Sequence, residues 1–302
     1  MTRHRLRTLA YWLAGSVIIA LVSAAAAQAQ GKPDFEFRRE LAVGKRFFLS
    51  DIMGDVIVTG GSGRTVEVTA IKKVGRHGQP EDVTIETIEL EDGVALCVRY
   101  PSERSGHRSD ERSLAKNPCS WEGHWSGHGD SYRNDTEVNF RVTVPAGLRL
   151  HIGTVSGDVH ADHLEGDLTL RSVSGDVSLQ GGRGPTVDLE TVSGDVQLLD
   201  VSSKDVSGHT ISGAVTFRGA IEDSGSYDFA TTSGNIVATL PRTPSATLSA
   251  ATFSGDFSSD LPVNQDNSRR HRHRYDATWG SGSAKLYMES LSGDVSIRVG
   301  SR

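Results

Sequence analysis

Asp158, Asp176, Asp195, Asp256 and Asp294 each follow a Ser-Gly pair, and carboxylates in such number could do acid–base chemistry, ligate a cation or bond backbone amides. Catalysis needs two carboxylates, or a carboxylate and a base, brought together on one face. These aspartates recur once per repeat, so each serves something every repeat requires. No singular cluster of Asp, Glu, Lys or Arg stands out among them. Calcium is the second reading, because hard oxygen ligands suit it. Ala214 and Asn235 interrupt the column, however, and the closely spaced Gly pairs and nine-residue period of calcium-binding repeats are missing. A structural corner is therefore expected, with no catalytic residue and no bound metal. Phosphate loops, nucleophile elbows and His-Glu-x-x-His motifs are also missing from the sequence, and no cofactor is expected.

Three further groups could do chemistry. Cys119, His124 and His128, with His107 nearby, have the residue types of a zinc site but not its paired spacings. The cysteines number two, Cys97 and Cys119, and in an oxidising compartment one disulfide is the expectation. Trp121, Trp125 and Tyr132 lie in the same polar stretch, where large aromatics either tuck onto a sheet or form a contact patch for sugar or protein. Arg269, Arg270, His271, Arg272, His273 and Arg274 make a basic run. Such a run reads as a solvated loop, or as a contact with an anionic membrane surface.

The elements that must position these residues are set by an internal repeat. Ser-Gly pairs end at Gly157, Gly175, Gly194, Gly213, Gly234, Gly255 and Gly293, in steps of 18, 19, 19, 21, 21 and 38 residues. The last step reads as one turn plus an insertion of about 18 residues. Thr or Ser stands two places before each Ser, at Thr154, Ser172, Thr191, Thr210, Thr231, Thr252 and Ser290. Upstream, Leu150, Leu168, Val187, Val206, Tyr227, Leu248 and Leu286 alternate with a second apolar column two residues on. Period-two hydrophobicity over five residues is a half-buried strand. Each repeat reads as strand, Ser-Gly-Asp corner, strand, loop. One repeat cannot bury its own apolar face, so the repeats must stack, with like columns about 4.8 Å apart. The expected fold is all-β, a right-handed parallel β-solenoid with a less regular N-terminal β region. The Gly column is expected to supply positive φ at a tight corner.

The N-terminal half is β-rich as well. Phe48 to Val58 holds a degenerate copy of the repeat, Asp51-Ile52-Met53-Gly54-Asp55-Val56, that could start the stack. Further strands are expected at Thr65–Ala70, Val83–Leu90, Val94–Tyr100 and Glu137–Val144. In Val94–Tyr100 the residues Val94, Leu96, Val98 and Tyr100 share the core parity, which turns Cys97 outward within reach of the Cys119 loop. Residues 1–29 read as a bacterial signal peptide: Arg3, Arg5 and Arg7, an apolar run, then Ala27-Gln28-Ala29 before the cut. No Cys lies near that junction, which excludes a lipoprotein anchor. Its removal takes away three of 32 Lys and Arg and none of 38 Asp and Glu, leaving a net charge of about −9. That balance argues against nucleic acid as a partner. The expected organisation is 1–29 leader, 30–146 N-terminal β region with an insertion at about 102–133, and 147–300 solenoid of about seven coils with an insertion at about 263–280.

The repeated Thr-Val-Ser-Gly-Asp-Val coils, the early Gly-Asp-Val-Ile-Val and the Val144-Pro145-Ala146-Gly147 handover resemble one bacterial family. It is the exported β-strand-repeat domain of unknown function labelled "putative adhesin", and the resemblance covers Phe35 to Val299. It implies an exported β-solenoid with an envelope or adhesive role, in the periplasm, on the cell surface or secreted, and carries no catalytic residues over. The expected function is a non-catalytic scaffold or binding surface, its partner an envelope or surface protein or a glycan. The alternative is a carbohydrate-active β-helix, a polysaccharide lyase or hydrolase.

Overall fold

A computed structural model describes residues 32–100, 118–119, 134–266 and 273–300. No residue among them is helical. The N-terminal region supplies β1 (Phe35–Glu40), β2 (Arg46–Ser50), β3 (Val56–Gly61), β4 (Thr65–Lys73), β5 (Thr84–Leu90), β6 (Gly93–Arg99) and β7 (Glu137–Pro145). The regular coils begin with β8 (Leu148–Gly153), β9 (Val159–Asp162), β10 (Gly166–Arg171), β11 (Val177–Gln180), β12 (Arg183–Glu190) and β13 (Val196–Ser212). They continue through β14 (Val215–Gly219), β15 (Ser226–Ser233), β16 (Ile236–Leu240), β17 (Ala246–Ser254) and β18 (Phe257–Ser259). The chain ends with β19 (Asn264–Asp266), β20 (His273–Thr278), β21 (Ala284–Ser292) and β22 (Val295–Val299).

Strand pairing organises these elements into two ladders. One runs β5-β6-β2-β8-β10-β12-β13-β15-β21-β17-β20-β19. The other runs β1-β4-β7-β3-β9-β11-β13-β14-β16-β22-β18. The long β13 belongs to both, so each repeat gives one strand to the first ladder, turns at its Ser-Gly-Asp corner and gives the next to the second. Between coils every pairing is parallel and matches like columns, Leu150 to Leu168 to Val187 for example. The columns pointing inward merge into one core. Where Gly208 leaves that core thin, Phe229 and Phe217 stack at 5.0 Å and Tyr227 meets Phe217 edge-on, restoring close packing.

The order of coils in space differs from their order in sequence at both ends. Sequence order would put the Gly255 coil between those of Gly234 and Gly293. Instead β21 and β22 pair with β15 and β16 on one side and with β17 and β18 on the other. The Gly293 coil is thus slotted inside, and the Gly255 coil is the terminal one. The segment expected as an insertion near Val263–Gly280 adds strands at this end, where β20 pairs antiparallel with β17 and β19 antiparallel with β20. Those strands cover an edge whose amides would otherwise stand unpaired. The other end mirrors this. The copy at Phe48–Val58 does not start the stack, because β6 and β7 form a coil outside β2 and β3. Beyond it β4, β1 and β5 pair antiparallel and close that end.

Candidate functional site

The Thr-x-Ser-Gly-Asp corners form three ladders along the stack. In the first, the buried Thr or Ser hydroxyl donates to a Gly carbonyl one coil away: Ser172 to Gly157 at 2.9 Å, Thr191 to Gly175 at 2.9 Å, Thr210 to Gly194 at 2.9 Å, Thr231 to Gly213 at 3.0 Å. Ser290 and Thr252 repeat it beyond the coil swap, onto Gly234 and Gly293. Thr191→Val keeps the shape and removes the donor, stranding a carbonyl. It is expected to cost roughly 1–3 kcal/mol, read as a lower urea midpoint at unchanged m-value.

In the second ladder a Gly sits over the Gly carbonyl of the adjoining coil. A Cβ at Gly157, Gly175, Gly194, Gly213, Gly234, Gly293 or Gly255 would lie 1.9–2.2 Å from that oxygen. Gly157, Gly194, Gly213, Gly234 and Gly293 have φ of 154–158°, in keeping with the positive φ expected of the corner, but that conformation does not run through the whole column. Gly175 and Gly255 are outside the left-handed region of φ altogether, yet meet the same contact. Close approach of neighbouring backbones is the demand for glycine common to all seven positions, and positive φ adds to it at five.

The third ladder explains the aspartates. Oδ1 of each accepts the backbone N–H of the same column one coil on: Asp55 from Asp158 at 3.0 Å, Asp158 from Asp176 at 2.8 Å, Asp176 from Asp195 at 2.8 Å, Asp195 from Ala214 at 2.8 Å. Asn235 accepts from Asp294 at 2.8 Å, Asp294 from Asp256 at 2.8 Å, and Asn139 begins the row by accepting from Asp55 at 2.9 Å. An amide oxygen therefore serves as well as a carboxylate. Ala214 supplies no acceptor and leaves one rung out. Ala214→Asn is expected to restore it and to stabilise by roughly 0.5–1.5 kcal/mol, measured by urea denaturation. Among the described residues no group of three or more His, Cys, Asp or Glu converges as metal ligands would.

Between the buried Thr and the Ser of each corner lies a column that the repeat pattern passes over as a spacer. Ile52, Val155, Val173, Val192, Ile211, Leu291 and Phe253 fill it, each 37–55% exposed, with Thr232 as the one polar member. Parallel pairing aligns them into one apolar row at the corner of the first ladder, beside the aspartate row. Next to Thr232 a recess of about 330 Å³ opens, lined by His209, Ala230, Glu289 and Leu291 among others. A bond to Asp228 raises the His209 imidazole above its ordinary value.

Cys97 and Cys119 form a disulfide with a Cα–Cα distance of 5.4 Å. Cys97 does point away from Leu96 and the main core, but not into solvent. It is fully buried in a second small cluster with Phe48 and Ala95, against which Ile88, Leu90 and Cys119 pack. Phe48 in turn stacks on His151, with ring centroids 4.9 Å apart. Trp121, Trp125, Tyr132, His107, His124 and His128 lie outside the described residues, as do Arg269, Arg270, His271 and Arg272. Of the basic run, His273 and Arg274 belong to β20, where Arg274 donates to Ser249 at 3.1 Å and pairs with Asp276.

The family described as Toastrack DUF4097 matches residues 139–298, more than half of the chain. The protein belongs to this family. The Toastrack match takes in every regular coil, including the swapped pair, and begins at Asn139, where the aspartate row begins. Among curated proteins none matches the chain. Solved structures similar to this Toastrack chain include a "putative cell adhesion protein" from Clostridium sporogenes ATCC 15579, 11% identical, covering 89% of this chain and 100% of that one with a TM-score of 0.36. A "putative adhesin" from Bacteroides fragilis NCTC 9343 is 11% identical over 87% of this chain and 96% of that one, TM-score 0.41. A third, also a "putative adhesin", from Parabacteroides distasonis ATCC 8503, is 13% identical over 87% and 96%, TM-score 0.34.

Proposed function

We propose that this Toastrack protein is an exported, non-catalytic scaffold of the bacterial envelope, a right-handed solenoid whose surface serves as a binding face. The observation that carries the reading is the use made of the repeated aspartates. Asp158, Asp176, Asp195 and Asp294 each give one carboxylate oxygen to the amide of the adjoining coil, a structural task that an asparagine performs equally. Residues 1–29 serve as the leader in this reading, 30–146 as the N-terminal β region and 147–300 as the coils. The basic composition of the leader and its Ala-Gln-Ala end support export. The test is a screen of the mature protein on envelope and extracellular polysaccharides. Retention of polymer at unchanged length fits a scaffold. Depolymerisation would favour the carbohydrate-active alternative, with the recess at His209 and Glu289 the first place to mutate.

A further inference from the structure

We propose that the apolar row at the corners docks a basic amphipathic helix of a partner protein. The proposal rests on the scaffold reading above and names the partner's chemistry. Contiguous exposed apolar surface of several hundred Å² is unusual on a free soluble protein and marks a contact site. Here it comes from the outward column of the corners: Val155, Val173, Val192 and Ile211 in succession, then, past Thr232, Leu291 and Phe253 beyond the swap. The row is one residue wide, far narrower than the roughly 800 Å² per partner that a stable dimer of globular faces requires. A second copy packing face to face would therefore bury too little, whereas a rod-shaped element lying along the row can use its whole length.

Spacing and charge then choose the rod. Coils repeat about every 4.8 Å along the stack, and a helix returns to one face every 5.4 Å or so, a mismatch of roughly 0.6 Å per contact. An extended strand repeats on one face only every 6.7 Å or so and falls out of step by about 2 Å at each coil. One flank of the row carries Asp55, Asp158, Asp176, Asp195, Asp294 and Asp256, exposed or half-buried. The Oδ1 atoms of Asp55, Asp158, Asp176, Asp195 and Asp294 are committed to the ladder, and the negative charge remains for a partner. A helix with an apolar stripe and Lys or Arg along its edge meets both rows at once.

The structure supplies a clean way to separate charge from fold. Asn139 and Asn235 already hold ladder rungs, so Asp158→Asn/Asp176→Asn/Asp195→Asn removes three charges and keeps the bonds. Val173→Thr/Val192→Thr/Ile211→Thr removes apolar surface and keeps β-branched side chains on strands. The probe is a fluorescein-labelled 18-residue peptide of leucine and lysine with the leucines on one helical stripe, titrated with mature protein by anisotropy. Saturable binding is expected, weakening as salt rises. Each triple variant is expected to lose about tenfold in affinity at an unchanged melting temperature. A scrambled peptide of the same composition, and one with glutamate for lysine, are expected to lose as much. Variants that bind within about threefold of wild type, or a scrambled peptide that binds equally, would overturn the proposal. So would concentration-dependent self-association in sedimentation that the threonine variant abolishes, which would make a second copy the occupant. The polysaccharide screen decides the scaffold reading independently, so failure of the docking idea leaves that reading intact.

Discussion

Gly194→Ala is expected to destabilise by about 3 kcal/mol or more, for the sake of one methyl group in the interior of a sheet stack. The added Cβ would lie 2.1 Å from the Gly175 carbonyl oxygen, with Asp176 N at 3.1 Å behind it. Relief would require the two coils to move apart. The pairing of Val177 with Val196 and the Asp195–Asp176 rung hold them together within two residues of the clash. Gly44→Ala separates this mechanism from backbone conformation. Gly44 has φ +81° and nothing within 4 Å of its missing Cβ, so an alanine there pays only for left-handed backbone, about 1–2 kcal/mol. Asp195→Asn, which keeps the acceptor, is expected to stay close to wild type. Urea midpoints of the three variants should rank in that order. Equal losses at Gly194 and Gly44 would return the column to the corner-geometry explanation.

The same contact shows which parts of the fold were legible in the sequence. Columns at Thr, Gly, Asp and the inward apolar positions could be aligned by eye, because each coil makes its bonds to the next with the same residues. That uniformity hides the coil order. Thr252 finds Gly293 with the geometry Thr231 uses for Gly213, so any coil can sit on any other and nothing at the corners specifies succession. What sets it lies in the irregular ends: the length of chain between β18 and β21, and the antiparallel strands that cover β17 and β7. The disulfide partners could be read from a count of two cysteines, but the small apolar cluster beneath them could not. Phe48, Ala95 and Cys97 come from strands that are neighbours only because of the swap. The apolar row was present in every Thr-Val-Ser-Gly-Asp unit. Its outward direction follows from alternation, since the buried Thr precedes it, yet valine in a strand repeat is ordinarily read as core.

Asp51 occupies the Thr column of the coil at β2 and β3, and its replacement by threonine is expected to stabilise the protein, increasingly so from pH 4 to pH 8. The side chain is almost wholly buried. Oδ1 accepts the Ile52 amide at 2.7 Å, while Oδ2 has no hydrogen-bond partner among the described residues. Burial pushes the carboxyl from 3.8 up to about 8, opposed by the Ile52 and Met53 amides and reinforced by the charge of Asp55. A carboxyl whose folded value is raised contributes stability that is fully present below the unfolded value and is lost as pH rises through the folded one. Between about pH 4 and pH 8 the wild type should therefore lose roughly 1.4 kcal/mol per pH unit relative to Asp51→Thr. His209, raised by Asp228, and His151, lowered by burial, titrate alike in both proteins and cancel in the difference. The threonine hydroxyl also has an acceptor in the pattern of the other coils, because the register puts the Val138 carbonyl where they present a Gly carbonyl. Tyr100, whose hydroxyl donates to Thr136 and is pushed up by burial and by Asp51, should titrate more readily in the variant. Urea denaturation of both proteins at pH 5, 6, 7 and 8 measures the widening gap. A difference that stays flat across that range would mean that Asp51 is ionised in the folded protein, held by a partner at Oδ2, and the carboxyl would then be a charge the fold tolerates.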